Sequence, residues 1–362
     1  YIPRDRMSTQ VRHKIEAMLK RALDGEQVDT NVKIGESPLA QLHIIVRPKG
    51  SEPMDVDLPA LEQKLASIVR DWRDELREQL VKRHGEETGL KLADCYGRAL
   101  PAGYIEEVSP GIAATDVEHL DALTGPDDLR LSLYRSRRKD GGLRFKLYRQ
   151  LDDIPLSDAL PMMENMGLRV ISEHPYKVDA AAGLAYIQDF EVESLQGDLD
   201  VDAIDEDFED AFARVWRGEA ENDGFNRLIL TAGLSWRQVA MLRSYCKYQL
   251  QVGVPFSQAY MEATLARYPL LARLLVELFE ARFDPRTGSE SDAEIKRGMS
   301  RFGAQLKSLS ADDEAAMNAL KSVVEARAKG RNAQVDATRN ALLGLMDRVS
   351  SLDEDRILRS FI

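Results

Sequence analysis

Apolar residues recur with a helical period at Val11, Ile15, Met18, Leu19 and Ala22. Ser8 or Thr9 stands where an N-cap is needed, and Asp24-Gly25 supplies a stop. Two strand-like runs follow, QVDTNVKI and LAQLHIIVR, separated by the turn formers Gly35, Glu36, Ser37 and Pro38. A second helical stripe passes through Leu61, Leu65, Ile68, Val69, Trp72, Leu76 and Leu80 and predicts one long helix over 58–84. With Tyr1-Ile2 as the tail of a strand, the order is strand-helix-strand-strand-helix, that of a split βαβ sandwich.

Short helical stretches broken at Pro101, Gly103 and Pro110-Gly111 read as a connector. Then DLRLSLYR and LRFKLYRQ both alternate, with Leu129, Leu131 and Leu133 on one face and Leu143, Phe145 and Leu147 on one face. Asp140-Gly141 between them is a hairpin signal. The helix PLSDALPMMENM ends at Gly167, which suits a left-handed C-cap, and LRVISEHPYKV and GLAYIQDFEVESL read as two further strands. This unit is therefore β-β-α-β-β. From Asp205 onward the pattern is helical, with a capping box at Ser235 and Gln238, a break at Asp284-Pro285, and a similar helix start at Ser310 and Asp313.

The fold class predicted is α+β, with ferredoxin-like modules followed by an all-α region. The division is an α+β module over 1–86, a helical connector over 87–126, and a second α+β module over 127–197. A helical domain over 198–288 and long paired helices over 289–362 complete it.

Composition narrows the function. The 362 residues carry 61 acids against 49 bases, a formal net charge of -12, which disfavours nucleic acid or an anionic membrane as partner. No apolar run approaches the length of a membrane span; the greasiest, PLLARLLVELF, contains Arg273 and Glu277. Two distant cysteines, Cys95 and Cys246, give no disulfide framework and suit a reducing cytoplasm. Both ends, YIPRDR and DEDRILRSFI, read as cut from a longer polypeptide.

No P-loop, strand-borne GxGxxG, GxSxG or HExxH occurs, and the five histidines are dispersed. Three polar clusters remain as candidate ligand or interface positions. Asn222, Asp223 and Asn226 lie in ENDGFN at a helix start, where capping is the stronger reading. Asn165, Gly167 and Arg169 lie at a helix-to-strand turn. Arg4, Asp5 and Arg6 lie at a strand-to-helix junction, where a helix N-terminus favours anions but a solvated salt-bridged loop is the stronger reading. The outer face of the hairpin, with Arg130, Tyr134, Arg144, Lys146 and Tyr148, reads equally as a partner surface or a solvated one.

In this order, YIPRDR, PLSDALPMMENMGLRVISEHPY, WRGEAENDGFNRLILTAGLSWRQVAMLRSYCKYQLQ, ELFEARFDP and LDEDRILRSFI resemble the large bacterial NAD-specific glutamate dehydrogenases. The resemblance implies a very long cytoplasmic subunit that forms homo-oligomers. ACT-like modules and helical segments would occupy its N-terminal half, with the catalytic core and NAD domain later. On that reading NAD belongs to the parent enzyme, no cofactor or metal belongs to this piece, and no catalytic residue of the family transfers to it. The piece would regulate and assemble the enzyme, with its own catalytic core, other subunits and a free amino-acid effector as partners. The order β-β-α-β-β departs from the ACT order β-α-β-β-α-β, which implies a borrowed strand or a lost pocket. The rival readings are a stand-alone amino-acid sensor and a purely architectural scaffold.

Overall fold

A computed structural model of the chain describes residues 1–3, 7–33, 37–48, 56–69, 71–136, 142–195, 201–285 and 314–362. They form two compact units, 1–121 with 179–182, and 122–178 with 183–362.

In the first unit β1 (Ile2–Pro3), β2 (Gly25–Lys33) and β3 (Leu39–Pro48) make an antiparallel sheet in the order β1-β3-β2. Helix α1 (Thr9–Ala22) joins β1 to β2; the Ser8 hydroxyl accepts the N–H of Val11 at 3.2 Å, and Ile15 is buried. The expected order of elements is observed, with α2 (Leu58–Val69) after β3.

The single helix expected over 58–84 is instead two. Asp71 has an extended backbone, and its carboxylate accepts the N–H of Arg73 at 3.1 Å, opening α3 (Trp72–His84) with a fresh N-cap. The apolar stripe ran through both helices and hid the break. α3 packs against α4 (Glu86–Tyr96) and α6 (Pro110–Asp121), with the short α5 (Ala102–Glu107) between the last two. A Cβ at Gly89 would stand 2.4 Å from Val81 Cα, so glycine is what lets α4 lie this close to α3. Trp72 Nε1 donates to the Val108 carbonyl at 2.8 Å, and buried Tyr104 directs its hydroxyl to Asp116.

The second unit opens with β4 (Leu129–Arg135), β5 (Leu143–Gln150), α7 (Leu156–Asn165), β6 (Leu168–Ala180), β7 (Gly183–Ser194) and α8 (Val201–Trp216). The hairpin turn expected at Asp140-Gly141 lies outside the described residues, but β4 and β5 pair antiparallel as expected. The sheet runs β4-β5-β7-β6. In a βαββαβ sandwich the last strand lies beside the first. Here the strand in that place comes first in the chain, and α8 supplies the second helix. The β-β-α-β-β order is thus a four-stranded sheet with its connections permuted, its four strands all present among the described residues.

One face of this sheet is apolar: Leu131, Leu133, Phe145, Leu147 and Phe190 are buried. α8 lies on β4, and Phe208 and Phe212 meet Phe145 edge-on at 5.1 and 5.0 Å. Gln188 interrupts this face usefully, accepting the Ile154 N–H at 2.8 Å and donating to its carbonyl at 2.9 Å. The opposite face is polar and also closed: Lys146 and Tyr148 are fully buried, and Arg144 holds Asp189 through two 2.9 Å contacts. Of the two readings weighed for this face, packed or solvated, Arg144, Lys146 and Tyr148 follow the packed one, as an ionic layer.

β4 is an edge strand, and an outward-facing N–H of such a strand needs an acceptor. The Glu209 carboxylate of α8 meets the Leu133 N–H at 2.7 Å. Burial, with Asp205 and Glu206 nearby, pushes the Glu209 carboxyl up to about 7. The folded state therefore holds its proton more tightly than the unfolded chain. Stability from this group is greatest below the ordinary carboxylate range and falls as pH rises toward 7. Glu209→Gln keeps an acceptor without a charge, and is expected to flatten that decline and add up to about 3 kcal/mol above pH 7. Denaturant midpoints of both proteins across this range check it.

The other described elements of the unit include α9 (Arg227–Ala232), α10 (Trp236–Gln251), α11 (Gln258–Arg267), α12 (Pro269–Phe283), α13 (Glu314–Arg327), α14 (Arg331–Met346) and α15 (Leu352–Ser360). One continuous apolar core joins them to α7, α8 and the sheet. The capping box at Ser235 and Gln238 is present, and α12 ends at Asp284 as expected. The helix start expected at Ser310 and Asp313 lies outside the described residues. Ser235→Ala is expected to cost about 1 kcal/mol, read from the denaturant midpoint.

Candidate functional site

The ENDGFN stretch is first of all a helix start. Asp223 has an extended backbone and accepts the N–H of Phe225 at 3.1 Å, which caps a single 3₁₀ turn (Gly224–Asn226) leading into α9. The same carboxylate does a second job. Arg243, on the buried face of α10 with Val239, Leu242 and Cys246, reaches it twice: Nε to Oδ2 at 2.6 Å and Nη2 to Oδ1 at 2.8 Å. Nη2 also donates to Asn226 Oδ1 at 2.8 Å, while the Asn226 amide donates to the Glu221 carbonyl at 2.9 Å. Asn226 and Arg243 are 2% and 5% exposed, so these bonds are made away from water.

Two further side chains close on the knot. Glu262 of α11 accepts the Gly224 N–H at 3.2 Å. Lys247, one turn beyond Arg243, pairs with the Glu221 carboxylate, and that bond lowers the Glu221 pKa. Burial pushes the neighbouring Cys246 thiol up to about 11, so it is protonated and unreactive at neutral pH.

The second predicted cluster meets the first. Asn165, the last residue of α7, donates to Asn222 Oδ1 at 3.0 Å. Gly167 has φ +89, the left-handed geometry expected after α7, and a Cβ there would lie 3.6 Å from Arg227 Cγ. Its carbonyl accepts the Leu195 N–H at 3.0 Å, so the turn is also held by the residue that follows β7. Asn165, Gly167, Asn222, Asp223 and Asn226 are thus parts of one junction between the sheet module and the helices. Arg169 is apart from it, exposed and 4.0 Å from an exposed Glu193, a pairing worth little. Arg4, Asp5 and Arg6 lie outside the described residues.

Chemically, the junction is a set of donors and acceptors matched to one another. The sequence reading missed Arg243, Glu262 and Lys247, which lie 17 to 38 residues from their partners in the junction. Among the described residues no three His, Cys, Asp or Glu side chains gather as a metal site would require. No helix among them is long and apolar enough to cross a membrane.

Four family models match the chain in succession. They are described as glutamate dehydrogenase ACT2 domain over 1–73, helical motif 2 over 79–123, ACT3 domain over 128–204 and helical motif 3 over 220–285. The first spans β1 to α2, the second runs from within α3 through α6, and the third runs from the start of β4 into α8. The junction lies in the fourth, joined to the third through Asn165. The chain is also similar to curated proteins named NAD-specific glutamate dehydrogenase. That of Halomonas elongata is 42% identical over 287 residues, 79% of this chain and 18% of the relative. That of Pseudomonas aeruginosa is 33% identical over the whole chain and 20% of the relative, and that of Mycobacterium tuberculosis is 31% identical over 90% and 21%. The chain spans about a fifth of the length of these relatives. It belongs to the large NAD-specific glutamate dehydrogenase family, of which it carries the ACT2 and ACT3 domains with helical motifs 2 and 3.

Proposed function

We propose that this chain is the regulatory and oligomerising segment of a cytoplasmic NAD-dependent glutamate dehydrogenase. The parent polypeptide would convert L-glutamate, NAD and water to 2-oxoglutarate, ammonia and NADH, with catalysis and NAD binding outside these residues. The segment itself makes no chemical step. Its partners would be its own catalytic core, other copies of the subunit and a free amino acid. The working division is a first ACT module ending at α2, a helical connector from α3 to α6, a second ACT module from β4 to α8, and the helical domain beyond.

The observation that carries this reading is the junction itself. Arg243 and Lys247 are paired with Asp223 and Glu221, which suits a mechanical coupling between an ACT module and a helical layer. An effector would act by favouring one packing of modules over another, to the extent of its differential affinity for the two. Calorimetric titration of the chain with a panel of amino acids is expected to show one that binds and the rest silent. Silence across the panel would remove the effector role and leave assembly alone.

A further inference from the structure

β4 ends the sheet of the second module, with β5 on one flank and no strand among the described residues on the other. Hydrogen bonding in an antiparallel pair alternates, so every second residue of β4 turns its N–H and C=O away from β5. Leu133 belongs to the outward set, since its N–H goes to Glu209 of α8. Leu129 and Leu131 share its phase. Their backbone groups form a row that a further strand could pair with.

β6, the other edge strand, carries Pro175, which has no N–H to offer a neighbour. β4 reads LRLSLYR and contains no such residue, so its protection has to come from outside the strand. An incoming strand would set a carbonyl oxygen against the Leu133 N–H, where a Glu209 oxygen already stands at 2.7 Å. It would have to displace that carboxylate toward Asp205 and Glu206, two acids of the same helix. Stability alone does not account for an acid here. Glutamine would satisfy the same N–H without a charge, and burial makes the charge costly enough to push the carboxyl up to about 7. Sheets commonly protect an edge with a charged side chain turned onto it, at a cost in stability.

We propose that Glu209 guards the β4 edge and keeps it from adding a strand of a second copy of the chain. β4 of that copy offers the same row of groups, and the two would pair antiparallel about a two-fold axis. With the guard in place, copies of the chain assemble through other surfaces.

The test compares the native chain with Glu209→Ala, which uncovers the Leu133 N–H, and with Glu209→Gln, which keeps an acceptor without the charge. Hydrogen exchange at Leu129, Leu131 and Leu133 is followed as protein concentration rises, with sedimentation run in parallel. In the native chain these rates are expected to be independent of concentration. In Glu209→Ala, exchange at Leu133 should be fast in dilute solution and slow at least about tenfold as copies associate. Leu131→Pro added to that variant should abolish the association. Glu209→Gln should fall between the two, and as the more stable protein it keeps the test decisive if alanine prevents folding. Concentration-dependent protection of β4 in the native chain overturns the proposal, because the edge is then already an interface. Folded variants whose β4 exchange ignores concentration overturn it as well.

Discussion

Replacing Glu277 with alanine is expected to cost about 3–5 kcal/mol, the largest single loss in the chain. Glu277 is fully buried in α12. Its two oxygens hold Arg273 at 3.1 Å, one turn earlier, and Arg327, the last residue of α13, at 2.6 Å. Arg273 also donates to the Gly233 carbonyl at 3.0 Å, so the carboxylate links three helical segments. Alanine removes the carboxylate that bonds directly to two guanidinium groups, each about one-seventh exposed or less. Desolvating a cation without its counter-ion costs more than the pair gained. Glu277→Leu combined with Arg327→Met is therefore expected to recover much of the loss, although it deletes more polar contacts. Urea titrations of the single and double variants check this. A single variant no less stable than the native protein would contradict the buried-charge argument.

Arg243→Ala is the second large effect, expected at about 3 kcal/mol. It strips Asp223 of both guanidinium bonds and leaves the buried Asn226 carbonyl without its donor. The loss falls below that at Glu277 because one carboxylate, not two guanidinium groups, is left without its direct ionic partner. Arg243→Lys should recover little, since an ammonium cannot span Asp223 and Asn226 from one planar fork. The distinguishing readout is local. Hydrogen exchange should rise at Phe225 and the start of α9, and at the C-terminus of α7 through the Asn165–Asn222 bond. Exchange confined to α10 would mean that the junction does not couple the modules.

Local signals in the sequence were sufficient for most elements. Ser8, Ser235 and Asp223 cap helices because short polar side chains can satisfy free amides whatever the distant chain does. Gly167 reads correctly for the same reason: its left-handed backbone is a local requirement. The break at Asp71 was missed because a stripe of apolar residues can continue in phase across a cap. The face of Arg144, Lys146 and Tyr148 stays undecided in the sequence because alternation distinguishes the two sides of a strand but does not tell water from a packed ionic layer. The pairings Asp223–Arg243, Leu133–Glu209 and Glu277–Arg327 join residues 20, 76 and 50 apart, and no local pattern specifies them. Sequence therefore located the candidate junction but gave only its capping half.

The central claim is that regulation and assembly reside in this chain and catalysis outside it. Glutamate-dependent NADH formation, measured in parallel on this chain and on the longer polypeptide that carries it, tests that claim most directly. No turnover by the chain and steady turnover by the longer polypeptide are expected. NADH formation by the chain alone, or none by the longer polypeptide, would contradict it.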